Sequence, residues 1–336
     1  MSSIAESIKK GKVGKSELQI VSGATMGKSF DIIRIQLEGM AGSGKSHLLL
    51  SIIKHMVEKM GIKLDDILMC FIDCDKKGVA PLLFSQVIPL EYQERIRYVK
   101  CDNIWEVYDA YNIFDAELLA HKKATGVDGW LVIENMGAVW YFCQRDYVEA
   151  AYRIPYTQLL MERQEEAHAR GKKTLPALDQ MLDYRNINPL HNEFANRASR
   201  GEYNLCWTAH PNTRKFQEGD EQVEKVCAAG QKDNDARVEM ILRMYYDKGK
   251  FYMDSRKLRG LNNNFNRLPL TENSFTVFVE KYADMLNKDC KRRGVVTPDF
   301  PWVKKVKPKK TKGKKVEKED KPNEDNEEDD DETIEL

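Results

Sequence analysis

Gly39-Met40-Ala41-Gly42-Ser43-Gly44-Lys45-Ser46 fits the pattern G-x-x-x-x-G-K-[ST], and its flanks decide how the rest of the chain is read. Ile32-Ile33-Arg34-Ile35-Gln36-Leu37 leads into it as an apolar run that predicts a β-strand. Behind it, Leu48, Leu49, Leu50, Ile52, Ile53, Met56 and Val57 recur at helical spacing until Gly61 offers a stop. Strand, glycine-rich loop and helix form the arrangement that phosphate binding needs. Glycines let backbone N–H groups turn inward around phosphate oxygens, and the helix N-terminus adds partial positive charge. Lys45 is expected to reach the β- and γ-phosphates and Ser46 to ligate Mg²⁺, with His47 counted beside the loop as the next residue in contact with nucleotide.

Further strands follow from other apolar runs. Residues 67–73 read as a buried strand ending in Asp73-Cys74-Asp75, and residues 95–101 alternate enough for a short third strand. A helix is expected over 104–123. Trp130-Leu131-Val132-Ile133 gives a fourth strand ending at Glu134, and Leu205-Cys206-Trp207-Thr208-Ala209 a fifth ending at His210. Strands that alternate with helices imply an α/β fold with a mainly parallel central sheet flanked by helices. Ligands of such sheets sit at the carboxyl ends of the strands. That rule puts Asp73, Asp75, Glu134 and His210 on the rim that carries the glycine-rich loop.

Met240 to Met244 and Phe251 to Met253 predict a C-terminal β-hairpin with Gly249 in its turn. The 70 residues from Asn135 to Asn204 exceed one crossover. Residues 147–170 read as helix interrupted by Pro155, residues 170–173 as a loop, and 188–199 as the helix that feeds the fifth strand. The excess, about 30 residues within roughly 145–185, reads as an insertion.

The 336 residues are 42% apolar and 32% charged, which suits one large α/β domain with appendages. The reading divides the chain into a polar leader (1–17), a core (18–262) that a short edge strand at 18–21 opens, a helical extension (263–302) and a tail (303–336). Basic and acidic residues both total 53, so bulk charge favours no nucleic-acid partner. The tail is uneven: eight lysines fall between Val303 and Lys315, and nine acidic residues between Asn323 and Leu336. With almost no apolar content, it is expected to be disordered, its acidic end free to meet a basic protein partner. No apolar run approaches the roughly 18 residues of a membrane span, and the lysine-rich start lacks a signal-peptide core. Seven scattered cysteines form no zinc pattern. A cytoplasmic protein is the expectation.

Four side chains are candidates for catalysis. Glu134 stands where a carboxylate would hold Mg²⁺ through its water shell, so Ser46 and Glu134 form the expected metal pair. Asp75 is the candidate to orient or deprotonate an attacking water, with Asp73 a candidate turn cap. His210 is placed to hydrogen-bond a γ-phosphate or that water. Arg256, in Asp254-Ser255-Arg256-Lys257-Leu258-Arg259, could neutralise transition-state charge in a neighbouring subunit's site.

Taken in order, these residues resemble the RecA-type recombinase ATPases, and among them most the compact phage and archaeal-virus ATPases associated with single-strand annealing. The resemblance covers roughly residues 18–262. Phe71-Ile72-Asp73-Cys74-Asp75 is similar to the family's strand that ends in a catalytic carboxylate, and Leu131-Val132-Ile133-Glu134-Asn135 to its Walker B strand. Trp207-Thr208-Ala209-His210 resembles the strand ending in a γ-phosphate sensor, and Asp254-Ser255-Arg256 the Lys-x-Arg segment after a hairpin. The family usually has Glu at the position of Asp75, Asp at that of Glu134, and Lys at that of Asp254. A base one methylene shorter makes nucleotide binding a more direct implication than fast turnover.

The resemblance implies a RecA-like P-loop NTPase that binds ATP and Mg²⁺, hydrolyses ATP, and acts in DNA recombination, repair or single-strand annealing. It further implies a homo-oligomeric ring or filament with single-stranded DNA inside, and the host's cytoplasm as its location for a viral protein. DNA contact would come from the 170–173 loop, Arg214-Lys215 and the lysine block. Three other readings stay open: a helicase or packaging motor, a small-molecule kinase, and a regulatory nucleotide binder that does not hydrolyse.

Overall fold

A computed structural model of the chain describes residues 32–302, apart from 76–82, 84–87, 174, 180, 219–220, 232 and 299. The expected leader, the edge strand at 18–21 and the charged tail lie outside the described residues. The elements run β1 (Arg34–Glu38), α1 (Lys45–His55), β2 (Met69–Asp73), α2 (Leu90–Gln93), β3 (Ile96–Lys100), α3 (Ile104–Thr125), β4 (Trp130–Glu134), α4 (Met136–Tyr152), α5 (Tyr156–Ala169) and α6 (Asp183–Arg200). They continue with β5 (Asn204–Ala209), β6 (Pro211–Glu218), β7 (Glu221–Ala228), α7 (Asn234–Arg237), β8 (Met240–Asp247), β9 (Lys250–Lys257), β10 (Leu268–Pro269) and α8 (Ser274–Arg293).

Eight strands form one mixed sheet in the order β10-β9-β8-β1-β5-β4-β2-β3, and β6 and β7 form a separate hairpin. The chain is therefore α/β, with a mostly parallel sheet flanked by helices. β1 pairs in parallel with both β5 and β8, while β2 pairs in parallel with β3 and β4. Helices on both faces explain why β2, β4 and β5 are near-continuous apolar runs rather than alternating ones, whereas β1 alternates Ile35 and Leu37 with the buried polar Gln36 and Glu38. Alternate side chains then serve different cores. Ile35, Leu37, Met69, Phe71, Trp130, Val132 and Cys206 point to the α1–α8 side. Cys70, Ile72, Leu131, Ile133, Leu205 and Trp207 point to the side covered by α3, α4 and α6.

Several local expectations need revision. The helix expected from 147 begins at Met136, directly behind β4, with the Asn135 side chain accepting from the Gly137 N–H at 3.0 Å. The helix expected from 188 begins at Asp183 and carries Pro189 inside it. Its first turn is anchored by the buried Asp183 carboxylate, which accepts from Tyr147 Oη at 3.1 Å, Tyr152 Oη at 2.8 Å and the Asp179 N–H at 2.6 Å. The stretch read as an insertion, roughly 145–185, holds the end of α4, all of α5 and the start of α6, and it adds Val148, Tyr156, Leu159 and Leu178 to the core on that side. Residues 170–173 do form a loop.

The hairpin around Gly249 is longer than expected. It spans β8 and β9, joined at Lys248 (φ 47°) and Gly249 (φ 81°). Two positive φ values match the twist of a tight hairpin, and glycine tolerates the second without strain. α8 lies against α1: the Phe275 N–H donates to Ser51 Oγ at 3.0 Å, and His55 Nδ1 meets Thr276 Oγ1 at 2.9 Å. Phe275, Phe278, Val279, Tyr282 and Trp302 are buried in the α1-side core, so residues 263–302 share the hydrophobic core of the preceding chain. No helix among the described residues is long and apolar enough to cross a membrane.

Candidate functional site

The parallel register aligns the carboxyl ends of four strands. Glu38 pairs with Ala209 and Asp73 with Glu134, so the segments that follow β1, β5, β2 and β4 all leave from one rim. This brings Lys45, Ser46, Asp75, Glu134 and His210 together from four places in the sequence.

The glycine-rich loop is closed on itself. Lys45 Nζ donates to the carbonyls of Gly39 at 2.7 Å and Met40 at 3.0 Å, and the Ser43 N–H donates to Met40 O at 3.2 Å. The Gly39 N–H holds the Ala209 carbonyl at 3.2 Å, which ties the loop to β5. Gly44 caps α1 with φ 94°, a left-handed conformation that side-chain-bearing residues rarely adopt. Burial pushes the Lys45 ammonium below its ordinary pKa, against the opposing pull of Glu134 and Asp75. A phosphate that replaced the two loop carbonyls would meet a lysine with a strong demand for an anion.

Ser46 Oγ donates to Glu134 Oε1 at 2.5 Å. Glu134 is 4% exposed, and its Oε2 has no hydrogen-bond partner among the described residues. Burial pushes its carboxyl up to about 7; Asp73 and Asp75 add to the rise, while the Ser46 hydrogen bond and Lys45 work against it. Among the described residues no cluster of three or more His, Cys, Asp or Glu could hold a metal unaided. The Ser46–Glu134 pair suits Mg²⁺, which keeps several waters and takes one or two protein oxygens plus substrate phosphates. An orphaned, desolvated carboxylate oxygen beside a hydroxyl is the donor set such a hydrated ion needs.

His210 bridges the loop and the second strand. Its Nδ1 lies 3.2 Å from Gly39 O, and its Nε2 lies 3.5 Å from Asp75 Oδ2. The Ala229 N–H donates to His210 O at 2.7 Å, so β6 leaves at His210 and β7 returns to it. Asp73 is buried; it accepts from the Asp75 N–H at 2.9 Å and from Tyr98 Oη. It acts as the turn cap, and Asp75 is the carboxylate left on the rim.

Arg256 lies elsewhere. Its Nη1 donates to Glu38 Oε1 at 2.6 Å, and Arg243 Nη2 approaches Glu38 Oε2 at 3.4 Å. Glu38 is fully buried at the end of β1, and Gln36 Nε2 also donates to it at 3.1 Å. Strand alternation puts Gln36 and Glu38 on the face away from α1. Arg256 thus meets an acid of its own chain across the sheet from Lys45. His47 lines a cavity of about 320 Å³ along α1 with Lys54, Glu58, Tyr92 and Glu272.

The sequence reading missed three features: Glu38 with its arginines, the Asp73–Tyr98 bond, and Asn135. Asn135 directly follows Glu134 and holds φ 87° and ψ 94°, a conformation costly for a non-glycine residue. Its asparagine identity was the available signal, since Asn is a favoured helix N-cap. No protein-family model matches the chain, and no curated protein matches it.

Proposed function

We propose that this chain is a RecA-like ATPase that binds Mg·ATP at the 39–46 loop and acts on single-stranded DNA in recombination, repair or annealing. The observation that carries the reading is the 2.5 Å contact of Ser46 with Glu134, residues 88 positions apart that meet on one rim beside Lys45. Lys45 would exchange the Gly39 and Met40 carbonyls for phosphate oxygens. Ser46 and Glu134 would hold Mg²⁺, which supplies charge neutralisation on the phosphates. Asp75 would accept the proton of the attacking water, and His210, tied to both Gly39 O and Asp75, would couple that water to the loop. The DNA part of the reading rests on the resemblance: the β6–β7 hairpin that springs from His210 carries Arg214, Lys215 and Lys225 in its sequence, balanced by Glu218, Glu221 and Glu224.

One observation favours a second reading, a nucleotide binder that hydrolyses only on assembly. Arg256 is held by Glu38 within its own chain and would have to leave it to serve a neighbouring site. Measuring ATP hydrolysis with and without single-stranded DNA tests both. Stimulation by DNA supports the recombination reading; binding without turnover under either condition supports the binder.

A further inference from the structure

The β8–β9 hairpin ends in two aromatic residues that the sheet core does not cover. Tyr246 and Phe251 are cross-strand partners with ring centroids 5.0 Å apart and planes at 55°. They share strand parity with Met244 and Met253, which join the core on the α1 side, yet Tyr246 is 60% and Phe251 39% exposed. The tip is held in place: the Leu270 N–H donates to Phe251 O at 2.9 Å. It also abuts the glycine-rich loop. A Cβ placed on Gly44 would lie 3.5 Å from Phe251 Cδ1 and 3.6 Å from Met244 Cε.

Strand order gives this contact a direction. His210, Glu134 and Asp75 follow β5, β4 and β2 on one side of β1, and β8 and β9 lie on the other. Groups that handle a terminal phosphate therefore stand on one side of the loop, and a phosphate chain laid along it leaves past Gly44 on the opposite side. We infer that the hairpin tip is the nucleobase platform of the site, with the base of a bound nucleoside triphosphate stacked on Phe251 and flanked by Tyr246. Every base offers a π-face, so the platform admits all four, but purines cover more of the ring and bind more tightly. The inference rests on the phosphate-loop reading above. The opposing account makes Tyr246–Phe251 an ordinary cross-strand pair that only stabilises the hairpin.

Calorimetric titration of the full chain separates these, with Mg·ATP, Mg·CTP and inorganic tripolyphosphate as ligands. The proteins are wild type, Phe251→Leu, Phe251→Trp and Lys45→Ala, each checked by circular dichroism. Leucine keeps apolar fill beside Gly44 and removes the π-face. Phe251→Leu is expected to lose about tenfold to a hundredfold in ATP affinity, with tripolyphosphate affinity unchanged. Phe251→Trp should retain ATP binding, and the preference for ATP over CTP should shrink in the leucine variant. Unchanged ATP affinity in Phe251→Leu overturns the platform, as does an equal loss for ATP and tripolyphosphate, which would make Phe251 a prop for the loop. A wild type that binds tripolyphosphate as tightly as ATP overturns it too. Failure of the underlying reading looks different: wild type and Lys45→Ala would then bind ATP and tripolyphosphate equally, or neither would bind at all.

Discussion

Arg256 donates to Glu38 at 2.6 Å, across a separation of 218 residues, and Glu38 is the last residue of the strand that feeds the glycine-rich loop. A carboxylate without exposure at that point needs compensation, because an unpaired buried charge is strongly destabilising. Arg256 supplies it, and Arg243 and Gln36 assist. The same pair decides whether Arg256 is available to a neighbouring subunit.

Removing the nearer arginine should therefore cost more than removing the acid. Arg256→Ala takes the 2.6 Å partner from a carboxylate without exposure and is expected to approach the about 3–5 kcal/mol of a broken buried pair in urea unfolding, moderated by Arg243, which still faces the carboxylate. Glu38→Ala should lose less, since the Arg256 and Arg243 side chains are each about a third exposed and keep access to water. Equal unfolding midpoints for wild type and Arg256→Ala would show that the network does not stabilise the fold.

Phe275→Ala should be as severe as a change at the sheet centre. The ring is fully buried and packs edge-on against Trp130 and Trp302 at centroid distances of 5.7 and 5.9 Å. Truncations of this kind cost about 3–5 kcal/mol. Thermal melts read the result, and a loss within error would mean that α8 is not integral to the core.

His191 makes stability depend on pH. It is fully buried with neither ring nitrogen hydrogen-bonded among the described residues, and it packs on Trp140 at 5.3 Å. Burial, with a contribution from Arg237, pushes its pKa from 6.5 down to about 4. The unfolded chain thus takes up a proton that the folded chain refuses, and stability falls as pH drops from 6.5 toward 4. His191→Leu should lose about 2 kcal/mol less than wild type between pH 7 and pH 5. Parallel losses in urea titrations at the two pH values would remove His191 as the cause.

Glu134→Gln and Asp75→Asn should keep ATP binding and lose most turnover, as each removes charge with little change of shape. Normal hydrolysis by Asp75→Asn would transfer the role of base away from Asp75, leaving Glu134 as the better candidate.

The parts of the fold that were legible in the sequence share one cause. β2, β4 and β5 are buried on both faces, so they stand out as unbroken apolar runs, and the rim that joins Lys45, Asp75, Glu134 and His210 follows from where those runs end. The loop itself is legible because glycines and a lysine are fixed by spacing. What was missed depends on contacts between distant residues. Glu38 reads as a polar residue at a strand end until Arg243 and Arg256 arrive from two strands on the far side of the chain. The β6–β7 hairpin carries few apolar residues, so it lacks the signal of a half-buried strand. The helix expected from 188 starts about a turn and a half earlier, at the buried Asp183 carboxylate that two tyrosines hold.

Nucleotide binding by the 39–46 loop through Lys45 can be read by calorimetric titration of Mg·ATP into wild type and Lys45→Ala, with thermal melts establishing that both are folded. Wild type should bind saturably and the variant should lose at least tenfold in affinity, as expected when a buried charge-assisted contact to phosphate is removed. Equal affinities in two folded proteins would rule out nucleotide binding through Lys45.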